Sequence, residues 1–167
     1  METKTASDIL KMAILMEKRG KAFYDQIAQQ TQDEDVRRIF SFMADEEQLH
    51  IEFLSKQFSH YEKTQEFAKN EFLMNVDESA AEAILSEGIK MKISASGYEA
   101  AAISAAIDME TKAIEVYANR AQASADPNEK ELFTFLADWE KGHHKVLNQL
   151  NNELMEKIWN DNQFWPF

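Results

Sequence analysis

Slid against itself by 93 residues, the chain repeats without a gap. "AILMEKRGKAFYDQIAQ" falls on "AIDMETKAIEVYANRAQ", and "IFSFMADEEQLHIEFL" falls on "LFTFLADWEKGHHKVL". From Ala13/Ala106 to Leu54/Leu147, 15 of 42 aligned positions are identical, among them Glu17/Glu110, Tyr24/Tyr117, Asp33/Asp126, Phe40/Phe133, Glu47/Glu140 and His50/His143. A shared helical period would align apolar residues, but not these polar ones, so the chain contains one structural unit written twice.

Each copy reads as a helical hairpin. Asp33 and Asp126 stand where an N-cap is needed at the turn, and Pro127 suits a first helical position. Helices are expected near residues 5–31, 34–62, 97–124 and 127–158, each roughly 40 Å long at 1.5 Å per residue. With only four glycines and two prolines, few residues are available for the turns of a sheet protein. A chain of 167 residues suits one domain, 1–167. It divides into a first repeat (about 5–62), a crossover (about 63–96), a second repeat (about 97–158) and an aromatic tail (159–167). The crossover is too long for a tight turn, and Asp77 to Glu87 reads as a short helix within it, stopped by Gly88. The expected fold is all-α: a four-helix bundle of two pseudo-symmetric hairpins joined by a long crossover.

A formal net charge of −12 opposes binding to nucleic acid or to an anionic membrane. No apolar run approaches the roughly 20 residues of a membrane span, and "METKTASDIL" lacks the pattern of a secretory signal, so a cytoplasmic protein is expected. The absence of cysteine excludes disulfides, thiolate chemistry and iron–sulfur clusters from these residues.

At 100° per residue, Leu10, Ala13, Glu17, Gly20, Tyr24 and Ala28 share one face of the first helix, and Val36, Phe40, Met43, Glu47, His50 and Leu54 one face of the second. The second repeat gives Ala106, Glu110, Ala113, Tyr117 and Ala121, then Phe133, Leu136, Glu140, His143 and Leu147. Every helix therefore turns one glutamate inward, and two add a histidine three residues later. No lysine or arginine lies clearly on these faces except Lys21 near an edge. Four buried carboxylates need protons or cations, since an unpaired buried charge costs several kcal/mol. Two divalent metals would balance them, with Glu47 and Glu140 bridging, Glu17 and Glu110 terminal, and His50 and His143 one per metal. Oxygen-rich coordination without sulfur suits iron, with manganese or zinc as alternatives. Tyr24 and Tyr117 lie two turns from the terminal glutamates and are expected to bond to a ligand. The repeat also predicts two chemically similar half-sites.

These residues resemble the ferritin-like di-iron carboxylate proteins. Within that group, "MEKRGKAFY", "ADEEQLH", "METKAIEVY" and "ADWEKGHH" resemble the di-iron domain of the rubrerythrin family. By that resemblance, Glu17, Glu47, His50, Glu110, Glu140 and His143 correspond to metal ligands, and Tyr24 and Tyr117 to tyrosines near the site. Three departures stand out. Rubrerythrins proper carry an iron–cysteine rubredoxin domain, which a stretch without cysteine cannot form, so electrons would come from a separate donor protein. They also use an extra glutamate one turn after the third-helix ligand, where this chain has Ala113; the ligand exchange tied to that glutamate is not implied here. Bacterioferritins share the doubled motif but carry a haem-ligating methionine after the first bridging glutamate, where this chain has Gln48, so no haem is expected.

The functional expectation is a di-iron peroxidase reducing hydrogen peroxide, or dioxygen, in oxidative-stress protection. Small residues at Gly20 and Ala113, one turn after each terminal glutamate, leave room for a two-oxygen oxidant. The alternatives are a ferroxidase that stores iron and a non-catalytic, metal-stabilised bundle that binds a partner; oxidation of an organic substrate would use the same ligands. A homodimer is expected, with the tail "KIWNDNQFWPF" packed against the bundle or a second subunit. His144 points about 100° from His143, His60 reads as a surface residue, and Asp45 and Asp138 repeat on the far face with a structural role.

Overall fold

A computed structural model of the protein describes residues 5–69 and 97–161. Through them run α1 (Ala6–Gln30), α2 (Glu34–Thr64), α3 (Gly97–Ala123) and α4 (Pro127–Asp161). No strand occurs among the described residues. The fold is the all-α four-helix bundle expected from the sequence. The short crossover helix expected over residues 77–87 and the packing of the aromatic tail lie outside the described residues.

Local chemistry fixes where the helices begin. Thr5 caps α1 through a reciprocal pair: its hydroxyl accepts from the Asp8 amide, and its own amide donates to the Asp8 carboxylate. Asp33 caps α2, its Oδ1 accepting from the amides of Asp35 and Val36 at 3.0 and 3.1 Å. Asp126 does the same for α4 toward Asn128 and Glu129, with Pro127 as the first helical residue. Arg37 reaches back across the first turn to the carbonyls of Ala28 and Thr31, while Arg120 at the end of α3 pairs with Glu129 in α4. Helix α2 stops at Gln65, whose φ of 59° places it in the left-handed region.

Helix α1 packs along α2 and α3 along α4, whereas α1 and α3 touch only sparsely. The interior is divided in three along its length. One apolar cluster gathers Ile27, Val36, Phe40, Ile103, Leu147 and Leu150; a second gathers Leu10, Leu54, Leu132, Phe133 and Leu136. Between them lies a layer of buried acids and histidines, with Tyr24 closing it on one side and Tyr117 on the other. None of the described helices is long and apolar enough to cross a membrane.

Candidate metal centre

The six charged or titratable residues singled out by the repeat meet in this middle layer. Glu17, Glu47, Glu110 and Glu140 are between 1 and 3 % exposed, and His50 and His143 no more than 1 %, so water cannot offset their charges. Their ligand atoms form two groups, each within 4.8 Å: Glu17, Glu47, His50 and Glu140 in one, and Glu47, Glu110, Glu140 and His143 in the other.

The shared members send one oxygen each way. His50 Nδ1 lies 3.2 Å from Glu47 Oε2 and 3.1 Å from Glu140 Oε1, whereas His143 Nδ1 lies 3.5 Å from Glu47 Oε1 and 3.0 Å from Glu140 Oε2. Glu17 Oε2 completes the first group at 3.2 Å from His50, and Glu110 Oε1 the second at 3.5 Å from His143. Two carboxylates able to span a pair of ions, with one terminal carboxylate and one imidazole for each, make a dinuclear ligand set. Orphaned atoms support the fit: both oxygens of Glu140 and Nδ1 of His143 are buried without a hydrogen-bond partner among the described residues. Buried polar atoms are ordinarily satisfied, and a cation between them would satisfy all three.

Taken alone, the side chains divide the charge unevenly. Burial, followed by the charges of Glu47 and Glu140, pushes Glu17 well above the usual carboxylate range. Burial, followed by the charge of Glu140, raises Glu110 to about 8. Burial acts in the same direction on Glu47, but the polar groups of Glu17, His143 and His50 beside it hold it below its ordinary value. Glu140 is likewise held low against burial and the Glu47 charge, chiefly by His50 and His143. Burial disfavours both imidazolium ions, yet the carboxylates, Glu140 first for His50 and Glu110 first for His143, raise both histidines. The shifts thus favour the protonated forms of Glu17 and Glu110 and the ionised forms of Glu47, Glu140, His50 and His143.

The tyrosines cross between repeats. Tyr24 donates its hydroxyl hydrogen to Glu110 Oε1, and Tyr117 donates to Glu17 Oε1. Each phenol therefore tethers the terminal glutamate of the other hairpin, not that of its own helix. Burial, then the charge of that glutamate, keeps both phenols protonated and able to donate.

Other residues fall outside the cluster. Lys21 is engaged by Asp25 at 2.7 Å. His60 and Asp45 are exposed, Asp138 pairs with Lys141 at the surface, and half-buried His144 sits beside Asn148.

Sequence reading passed over two groups of residues. Glu46, 7 % exposed, accepts at Oε2 from His143 Nε2 and from Trp139 Nε1, both at 3.0 Å. Glu46 and Trp139 correspond under the 93-residue offset, standing immediately before Glu47 and Glu140 respectively, and that was the available signal. The second group, the pairs Met16/Met109 and Arg19/Lys112, again at the repeat offset, lines a cavity of about 280 Å³ between α1 and α3 together with Gly20 and Ala113, the small residues expected to leave room there, and with Glu47, Glu110 and Glu140. Arg19 and Lys112 are exposed, so the cavity joins the acid layer to the surface.

Compared with known proteins, the chain matches the family described as Rubrerythrin over residues 8–151, a span that takes in all six clustered residues. No curated protein and no solved structure matches.

Proposed function

The chain belongs to the rubrerythrin family, and from that premise we propose that it is a di-iron oxidoreductase that reduces hydrogen peroxide with electrons from a separate donor protein. Glu47 and Glu140 would hold both ions, Glu17 and His50 one, and Glu110 and His143 the other. Two ferrous ions held there would supply the two electrons of H2O2 + 2 H+ + 2 e− → 2 H2O and Lewis acidity, and the donor protein would restore them.

The observation that carries this reading is the cavity between α1 and α3. It is lined by Glu47, Glu110 and Glu140 and by the small residues Gly20 and Ala113. A Cβ at Gly20 would already lie 3.4 Å from Glu47 Cδ, so a larger side chain would occupy the approach to that carboxylate. A small two-oxygen oxidant such as hydrogen peroxide fits a cavity of about 280 Å³. The apolar clusters close the acid layer along the bundle axis, leaving the cavity as its approach, and the Tyr24 and Tyr117 hydroxyls hold the terminal carboxylates. Peroxide is favoured over dioxygen because it takes up two electrons and leaves no partly reduced product.

The test is stopped-flow mixing of the anaerobic diferrous protein with each oxidant, followed by turnover with an added donor. Faster oxidation by peroxide, at equal concentration and without a mineral core, is expected. Faster oxidation by dioxygen with mineral formation would assign the protein to iron storage. Assembly as a homodimer belongs to the same reading, and size-exclusion chromatography separates it from a storage shell.

A further inference from the structure

The two halves of the centre differ at one corresponding position. A histidine that ligates through Nδ1 must carry its proton on Nε2. At His143 that proton has a destination, because a carboxylate oxygen offers only lone pairs and Glu46 Oε2 lies 3.0 Å from Nε2. The same oxygen receives the Trp139 indole N–H at 3.0 Å, which fixes its position. At His50 the corresponding residue is Trp139 itself. An indole N–H can only donate, and this one is already committed to Glu46. Trp139 instead packs its ring edge-on against His50, with centroids 4.7 Å apart and planes at 86°. His50 Nε2 is left buried, with no hydrogen-bond partner among the described residues.

The consequence falls on the metal. An N–H donated to a carboxylate fixes the ring and strengthens the imidazole as a ligand, and loss of such a partner typically lowers metal affinity about 10–100-fold. His50 has no such anchor. Its other tautomer, with the proton on Nδ1, would donate to Glu17 or Glu47, 3.2 Å away, and so compete with a metal for the ligating nitrogen.

We propose that Glu46 and Trp139 are positioning residues that make the two metal positions unequal: the position of His143 and Glu110 fills first and holds tightly, and that of His50 and Glu17 fills second and is lost first. This rests on reading the cluster as a dinuclear centre.

The experiment is titration of the chelator-stripped full chain with Mn2+, followed by electron paramagnetic resonance. Wild type is expected to show an isolated-ion signal over the first equivalent and a spin-coupled pair only over the second, with affinities about 10–100-fold apart. His50→Ala should keep the first step, and His143→Ala should lose it. Trp139→Glu, which offers His50 an acceptor, should bring the two steps together by tightening the second. Glu46→Gln preserves size where that exchange disturbs packing, and should bring them together by weakening the first. A coupled signal from the first addition, or loss of the tight step in His50→Ala instead of His143→Ala, would overturn the inference. Fewer than two Mn2+ at saturation would instead remove the dinuclear reading beneath it, and the total uptake distinguishes the two failures.

Discussion

Four glutamates share one layer, yet substitution should separate them into two kinds. Burial and its neighbours raise Glu17 and so favour its protonated form, which glutamine mimics closely when metal is absent. Glu17→Gln should melt within about 1 kcal/mol of wild type in chelator, and show its defect only as a reduced gain on adding metal. Glu47 is ionised against His50 and His143. Glu47→Gln strips a buried counter-charge, and should cost about 3–5 kcal/mol even without metal. Thermal melts of the two variants with and without chelator test the contrast. The same assignments set the pH dependence. The raised folded-state values of Glu17, Glu110, His50 and His143 stabilise the metal-free fold below their unfolded values, and that stability is lost as pH rises through the folded ones. For Glu110 the window runs from 4.5 to about 8, and for the histidines it runs upward from 6.5. The depressed values of Glu47 and Glu140 act only on the acid side, where stability is lost as they protonate. Metal-free protein should therefore be more stable at pH 6 than at pH 8.5. Metal competes with those protons, so metal affinity should rise over the same interval.

At the scale of the helices, two glycines make opposite predictions. Gly20 on α1 faces the cavity and Glu47. Gly20→Leu should leave two metals bound but slow oxidation by peroxide at least about tenfold, in keeping with the cost of misplacing or excluding a reactant. Gly142 lies inside α4 with nothing within 4 Å of an added Cβ. Gly142→Ala should stabilise by about 0.5–1 kcal/mol, a difference that denaturant melts resolve. The helices themselves were legible because local chemistry and period agree: capping aspartates at both turns, Pro127 at a first position, and apolar faces that stay buried along each helix. The acids and histidines were legible for the same reason, since charge on an apolar face violates the pattern. Glu46 was not. It stands one residue off the inward face of α2, and its partners His143 and Trp139 come from α4, so nothing within its own helix marks it out. The tyrosines were legible as neighbours of a ligand, but the exchange of partners between hairpins depends on how α1 and α3 are set across the bundle.

Across the whole molecule, the hairpins meet over a layer whose groups cannot all ionise without a cation. Anything that binds the folded state alone stabilises it: free metal at about a hundred times Kd contributes about 2.7 kcal/mol per site. For a chain of this size each kcal/mol raises Tm by about 2–4 °C. Calorimetry should therefore show a gain on the order of 5–10 °C for the first metal bound, reversed by chelator. The single indole at Trp139 also bears on how such a chain can be built. Two identical hairpins associating as separate molecules would be bound by their own symmetry: copies of the first would give both histidines a carboxylate, and copies of the second would give both an indole. Neither pairing can favour one ion over the other. Joining the halves into one polypeptide removes that constraint, so that a single substitution in one copy can distinguish ions that the duplicated architecture would otherwise treat alike.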